Sequence, residues 1–187
     1  MQRPFGSPTS PMQALDEDAA ALAPSFRIVD RPSKTRLRLL SEDPELPDIE
    51  LSLIKERRLF SRTWPLVVHA SIEGGGPPTE LTLRFHRARF GRPPGLRADG
   101  SGSSDEGWAN RFEDAGMTNG ASTMTGIRTL ELSWRPEQHT WSLRLETLAG
   151  ALIGTAPGSA LVVGLEQEDR DGLFQILRAF RSAATRP

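Results

Sequence analysis

Apolar and polar residues alternate with a period of two over most of residues 25 to 90, and again over 127 to 145. No other feature of the chain constrains its fold as strongly. Successive side chains of a strand point to opposite faces, so this alternation marks half-buried strands. Phe26 and Ile28 begin the pattern. Leu37 and Leu39 then alternate with Arg36 and Arg38, and Ile49, Leu51 and Leu53 with Asp48, Glu50 and Ser52. Turn formers close these runs, Asp30 to Ser33 as DRPS and Glu42 to Asp48 as EDPELPD. Leu66, Val68, Ala70 and Ile72 on one side of Gly74-Gly75-Gly76-Pro77-Pro78, and Leu81, Leu83 and Phe85 on the other, read as a hairpin.

In the second stretch Leu130, Leu132 and Trp134 alternate with Thr129, Glu131 and Ser133. After Arg135-Pro136-Glu137-Gln138, the residues Trp141, Leu143 and Leu145 resume the alternation. The spacing predicts a hairpin with Trp134 and Trp141 near its turn, where a cross-strand aromatic pair stabilises by up to about 1 kcal/mol. A further run, Ala160 to Leu165, leads into a helix over roughly 168–182 with Leu173, Phe174, Ile176, Leu177 and Phe180 as its apolar face. Strands in sequence-adjacent pairs followed by one amphipathic helix predict an α+β fold. The expected architecture is an antiparallel sheet or partly closed barrel of about 6–8 strands with the C-terminal amphipathic helix packed on it.

Two segments stand outside this pattern. Residues 1–24 mix Pro, Ser, Ala and acids and read as a disordered arm in which Ala14 to Ala23 form at most a transient helix. Residues 25–187 then make up a single domain. Within it, 87–126 carry eight glycines and no sustained period, as a long Gly-rich insertion would. One island there is helical in character: Ser104 as cap, Asp105 and Glu106 in the first turn, Trp108, Phe112 and Ala115 on one face, and Gly116 as terminator.

Composition bounds the partners. The 187 residues include 23 basic and 24 acidic side chains, a formal net charge of -1, so no global field gathers nucleic acid, which is disfavoured as a partner. All the basic residues but Lys34 and Lys55 are arginine, a bias that reads as GC-rich coding composition. The absence of cysteine removes disulfides, thiolate metal sites and thiol nucleophiles. No apolar core follows the basic start, so the expectation is a cytoplasmic protein without a signal peptide. Residues 147–165 are uncharged and contain GALIG, a small-xxx-small pattern, but Pro157-Gly158-Ser159 interrupts them. They read as two strands around a turn rather than a membrane span, and with the arm they offer a surface for homo-oligomerisation.

Candidate chemistry is sparse. Arg84, His86, Arg87, Arg89 and Arg92 form the densest basic segment, interleaved with Phe85 and Phe90. Guanidinium groups so placed can hold an anion bidentately, unless the acidic stretch from Asp99 to Asp114 neutralises them. His69 lies mid-strand, His86 in the basic segment and His139 in the tryptophan hairpin turn. Their spacing matches no metal motif, and no nucleophile elbow or phosphate loop occurs. Ser52 and Lys55 make an SxxK, but residues three apart on a strand face opposite ways. No cofactor or metal is implied. The expectation is therefore a non-enzymatic module recognising a protein partner or a small apolar or anionic ligand, with Trp108 and Phe112 as partner-binding residues. The rival is a small hydrolase or phosphate-handling enzyme using His69 or His86 with arginines as anion clamps.

Overall fold

A computed structural model describes residues 10–23, 25–57, 61–88, 93–99, 103–155 and 159–186. In chain order the elements are α1 (Pro11–Leu22), β1 (Phe26–Ser33), β2 (Arg36–Ser41), β3 (Ile49–Leu53), β4 (Glu56–Arg57), β5 (Ser61–Glu73), β6 (Leu81–His86) and β7 (Gly95–Ala98). There follow α2 (Ser103–Asp114), α3 (Met117–Thr123), β8 (Ile127–Arg135), a 3-10 turn (Pro136–Gln138), β9 (Thr140–Thr155), β10 (Ser159–Val162) and α4 (Gln167–Thr185).

The fold is α+β. One antiparallel sheet runs in the order β1-β2-β3-β5-β9-β8-β6-β7, with β10 added to β9 and β4 to β5, and it does not close into a barrel. Leu37, Leu39, Leu51, Leu83, Leu132, Leu143 and Leu145 bury one face of it together with the helices, and α4 contributes Leu173, Ile176, Leu177 and Phe180 to the same core. The alternate positions Arg36, Arg38, Arg84 and Arg144 stay exposed on the other face. The period-two pattern thus separates a covered face from an open one.

The tryptophan hairpin forms in the expected register, with Trp134 opposite Trp141 and ring centroids 5.4 Å apart. The hairpin expected across Gly74 to Pro78 does not form. β5 pairs with β3 and β9, and β6 pairs with β8 and β7, so two strands separate β5 from β6. The glycine-proline connection is held at the tryptophans instead: Trp141 Nε1 donates to Gly75 O and Trp134 Nε1 to Pro77 O, both at 2.8 Å. A Cβ on Gly76 would come within 2.3 Å of the Trp134 ring, so only glycine passes there. Two buried indole N–H groups need acceptors, and the crossing backbone supplies both.

Three further expectations are corrected. The stretch 30–33, read as a turn, continues β1, and the reversal falls at Lys34 and Thr35. The arm expected to be disordered over 1–24 contains α1, a docked helix. Ser10 Oγ accepts from Gln13 N while Gln13 Oε1 accepts from Ser10 N, a reciprocal cap with Pro11 at the first helical position. Ala14, Leu15, Ala19 and Leu22 are buried on one face. Alanines hid that face from a reading that counts large apolar residues. The insertion expected over 87–126 carries β7, α2 and α3 in its described part. Its glycines serve packing: Gly120 meets Gly172 where α3 crosses α4, and Gly116 (φ +97°) separates α2 from α3.

Candidate functional site

The open face of the sheet carries one continuous cross-strand row. From β1 to β7 it reads Asp30, Arg38, Glu50, His69, Arg144, Glu131, Arg84 and Arg97, each directly opposite the next. The signs alternate over most of its length, and ion pairs follow: Arg38 to Asp30 at 3.8 Å and to Glu50 at 3.6 Å, and Arg84 to Glu131 at 2.9 Å. Opposite charges on facing rungs stabilise by a few tenths of a kcal/mol to about 1 kcal/mol each. The row ends on two arginines facing each other, Arg84 and Arg97, of which Arg84 is paired with Glu131 and Asp99.

A cavity of about 420 Å³ opens at that corner. The β6–β8 ladder has its last rung at Arg84 and Glu131, and β8 carries a bulge between Ile127 and Thr129 where it turns toward β9. The strands part beyond that rung. Phe85, Ile127 and Leu130 line the gap with apolar surface, and His86, Arg87, Arg97 and Arg128 add cationic and imidazole groups. Arg128 is held by Glu56 at 2.7 Å and Glu146 at 3.0 Å. Among the described residues no carboxylate lies within ion-pair distance of Arg87 or Arg97.

The basic segment expected to act as one unit is divided by this geometry. His86 and Arg87 line the cavity. Arg84 does not: Glu131 at 2.9 Å and Asp99 at 3.2 Å occupy it, and the hydrogen bond it donates to Glu131 is the chief reason its pKa is raised. Arg89 and Arg92 lie outside the described residues. Arg128 and Arg97 complete the lining. Arg97 stands at the end of the basic stretch, whereas nothing local marked Arg128, because the bulge that aims it is set by β9.

Trp108 and Phe112 take a different place from the expected partner surface. Phe112 is fully buried, edge-on to Trp141 at 4.9 Å and stacked on Phe180 at 6.4 Å. Trp108 is half-buried against Trp141 at 5.3 Å, with the Arg111 guanidinium 4.6 Å from its ring. The aromatic face of α2 is spent on the core.

His69 is half-buried in the middle of the charged row. Burial lowers its pKa, Arg144 and Arg36 lower it further, and Glu50 opposes them. It stands three strands from His86 in the sheet order, and the cavity lining includes neither His69 nor Glu50. His139 sits in the hairpin turn at φ 47°, where its carbonyl accepts from Gly74 N. Among the described residues no group of three or more His, Asp or Glu side chains is placed to hold a metal ion, and no helix is long and apolar enough to cross a membrane. No family model matches the chain, and no curated protein and no solved structure matches it.

Proposed function

We propose that the chain is a binding module for a small amphipathic anion, a molecule with one carboxylate or phosphate and an apolar body, taken up in the cavity beside β6 and β8. The observation that carries this reading is the lining itself: Phe85, Ile127 and Leu130 offer apolar contact, and Arg87 and Arg97 stand beside them without carboxylate partners among the described residues. A volume near 420 Å³ falls in the range of small-ligand sites, roughly 300 to 1,000 Å³. Half-buried Phe85, over a floor closed by the buried Ile127 and Leu130, supplies affinity through area removed from water, and the Arg87 and Arg97 guanidinium groups supply orientation through bidentate hydrogen bonds.

Titration calorimetry with four probes tests it: decanoate, decyl phosphate, decanol and inorganic phosphate. The two amphipathic anions are expected to bind at least about tenfold more tightly than either half alone. Arg97→Gln is expected to weaken both, and raised salt to weaken them further. Equal binding of decanol and decanoate, or affinity unchanged in Arg97→Gln, would remove the reading.

A further inference from the structure

Among the described residues two carboxylates are buried, Asp18 and Asp169, and the ligand reading uses neither; Asp169 Oδ1 accepts from Thr125 N and Oγ1, whereas Asp18 is not so provided. Asp18 lies on the inward face of α1 and is 1 % exposed. Its Oδ2 has no hydrogen-bond partner. The surface it meets is unusual. β9 leaves the β5 ladder between Thr147 and Leu152, since Leu66 pairs with Thr147 while Trp64 pairs with Leu152, and the intervening chain passes through Gly150 at φ +82°. Pro65, which has no N–H to donate, stands opposite this excursion on β5. Asp18 is seated on the excursion: a Cβ on Gly150 would stand 3.0 Å from Asp18 Oδ2 and 2.6 Å from Leu66 Cδ2.

The backbone there is already satisfied. Gly150 N donates to Val163 O, Leu148 N to Gly126 O and Ala149 N to Thr147 Oγ1, so these groups have nothing to offer the carboxylate. Neither arginine of the neighbouring elements bonds to it, although Arg31 Nη1 and Arg170 Nε are themselves buried without hydrogen-bond partners. Arg31 on β1 pairs with Asp16, and Arg170 on α4 donates to Ala21 O and Gln167 Oε1. On the strands beneath α1, Arg36, Arg38, Glu50, Arg144 and Glu146 belong to the opposite face of the sheet. Glu17, the neighbour on α1 itself, only adds repulsion.

We propose that α1 is a proton-dependent latch: it stays docked while Asp18 carries its proton, and loss of that proton releases the helix and uncovers the apolar positions of β3 and β9 beneath it. Burial holds the Asp18 proton up to about pH 8. An ionised carboxylate cannot remain in that seat without a partner, whereas an undocked helix returns it to water. Release is local because α1 contributes no strand to the sheet: it can leave its seat, giving up the Arg31–Asp16 pair and the Arg170 bond to Ala21 O, with every β ladder intact.

The full chain contains no cysteine, so nitroxides can be placed on Ala20→Cys of α1 and Ser182→Cys of α4, both at exposed positions. Pulsed electron–electron distances are measured from about pH 5 to pH 9, with tryptophan emission as the readout of the sheet core. The expected result is one narrow distance in acid, a second broad population growing above about pH 7, and constant tryptophan emission. Asp18→Asn and Asp18→Leu, each in the labelled background, are expected to keep the narrow distance throughout. A narrow distance at every pH in the parent would overturn the latch, as would the same broadening in both variants. So would a shift in tryptophan emission in step with the distance, which means global unfolding. Release on acidification instead would show that Arg31 or Arg170 holds an ionised Asp18, and would overturn it equally.

Discussion

Arg84 lies directly opposite Glu131, Nε to Oε2 at 2.9 Å, and this pair is the last rung of the β6–β8 ladder before the strands part. The arginine that heads the basic segment is thus consumed by the sheet, whereas Arg87 and Arg97 have no carboxylate partner among the described residues. Exposed pairs of this kind contribute at most about 1 kcal/mol.

That relationship separates two arginines of one segment by experiment. Arg84→Ala is expected to leave decyl phosphate affinity within about twofold, because its charge is already countered by Glu131 and Asp99. Arg97→Ala is expected to weaken it by about tenfold or more. Calorimetry on the two variants at one salt concentration checks the difference, and equal losses would place the anion on the open sheet face instead of in the cavity.

The tryptophan pair is expected to carry stability. Trp141 is fully buried, contacts Trp134, Trp108 and Phe112, and donates to Gly75 O. Trp141→Ala is expected to cost about 3 to 5 kcal/mol. Gly76→Ala, with its Cβ driven against the Trp134 ring, is expected to cost about 1 to 3 kcal/mol by overpacking. Urea denaturation measures both, and a Gly76→Ala protein as stable as the parent would show that the 74–80 connection does not pass as described.

The α2 helix is expected to exchange its amide protons slowly in the free protein, since Phe112 is buried between Trp141 and Phe180. Phe112→Ala should destabilise by about 3 to 5 kcal/mol. Protection of residues 105–114 comparable with that of β8 and β9, read by hydrogen exchange, is the check. Rapid exchange there would restore α2 as a mobile docking element.

Asp18 gives the chain a stability that falls as pH rises. Its carboxyl has an ordinary value of 3.8 and is pushed up to about 8 in the folded state by burial, with a smaller contribution from Glu17. Between those values the folded protein holds a proton that the unfolded chain has lost. The contribution is therefore fully present below pH 3.8 and disappears through about pH 8, at a slope of at most about 1.4 kcal/mol per pH unit. Asp18→Asn should flatten this dependence in urea titrations at pH 5, 6.5 and 8. A parent whose stability rises across that interval would contradict the assignment.

His69 is expected to titrate below 6.5, because burial and the Arg144 and Arg36 guanidinium groups disfavour its charged form more than Glu50 favours it. Its sign is opposite to that of Asp18: the stability it lends is present above its unfolded value and is lost as pH falls through the folded one. Imidazole proton resonances followed by NMR give the midpoint directly, and a value above 6.5 would mean that Glu50 dominates the pair.

What the sequence determined by itself was the set of faces. Period-two runs at Leu37 to Leu39, Ile49 to Leu53 and Leu130 to Leu145, and the apolar stripe Leu173 to Phe180, are local facts of side-chain direction, so the α+β class, the strands that carry those runs, the tryptophan register and α4 were legible from them, while β4 and β7 were not. Only the tertiary structure decided which strands meet. Whether β5 turns back on β6 or admits β9 and β8 between them depends on pairing both edges of a long hairpin, and the indole donors of Trp134 and Trp141 help to settle it by capturing the carbonyls of Pro77 and Gly75. The docking of α1 was hidden for a related reason: alanines bury little area each, and their contribution exists only against a surface that β3 and β9 have already formed. The cavity belongs to the same class of fact. Arg87 and Arg97 come from the basic stretch and the adjacent β6–β7 pair, but Arg128 is distant in sequence, and what brings it to them is the pairing of β6 with β8 and their parting beyond Arg84 and Glu131, a property of strand order.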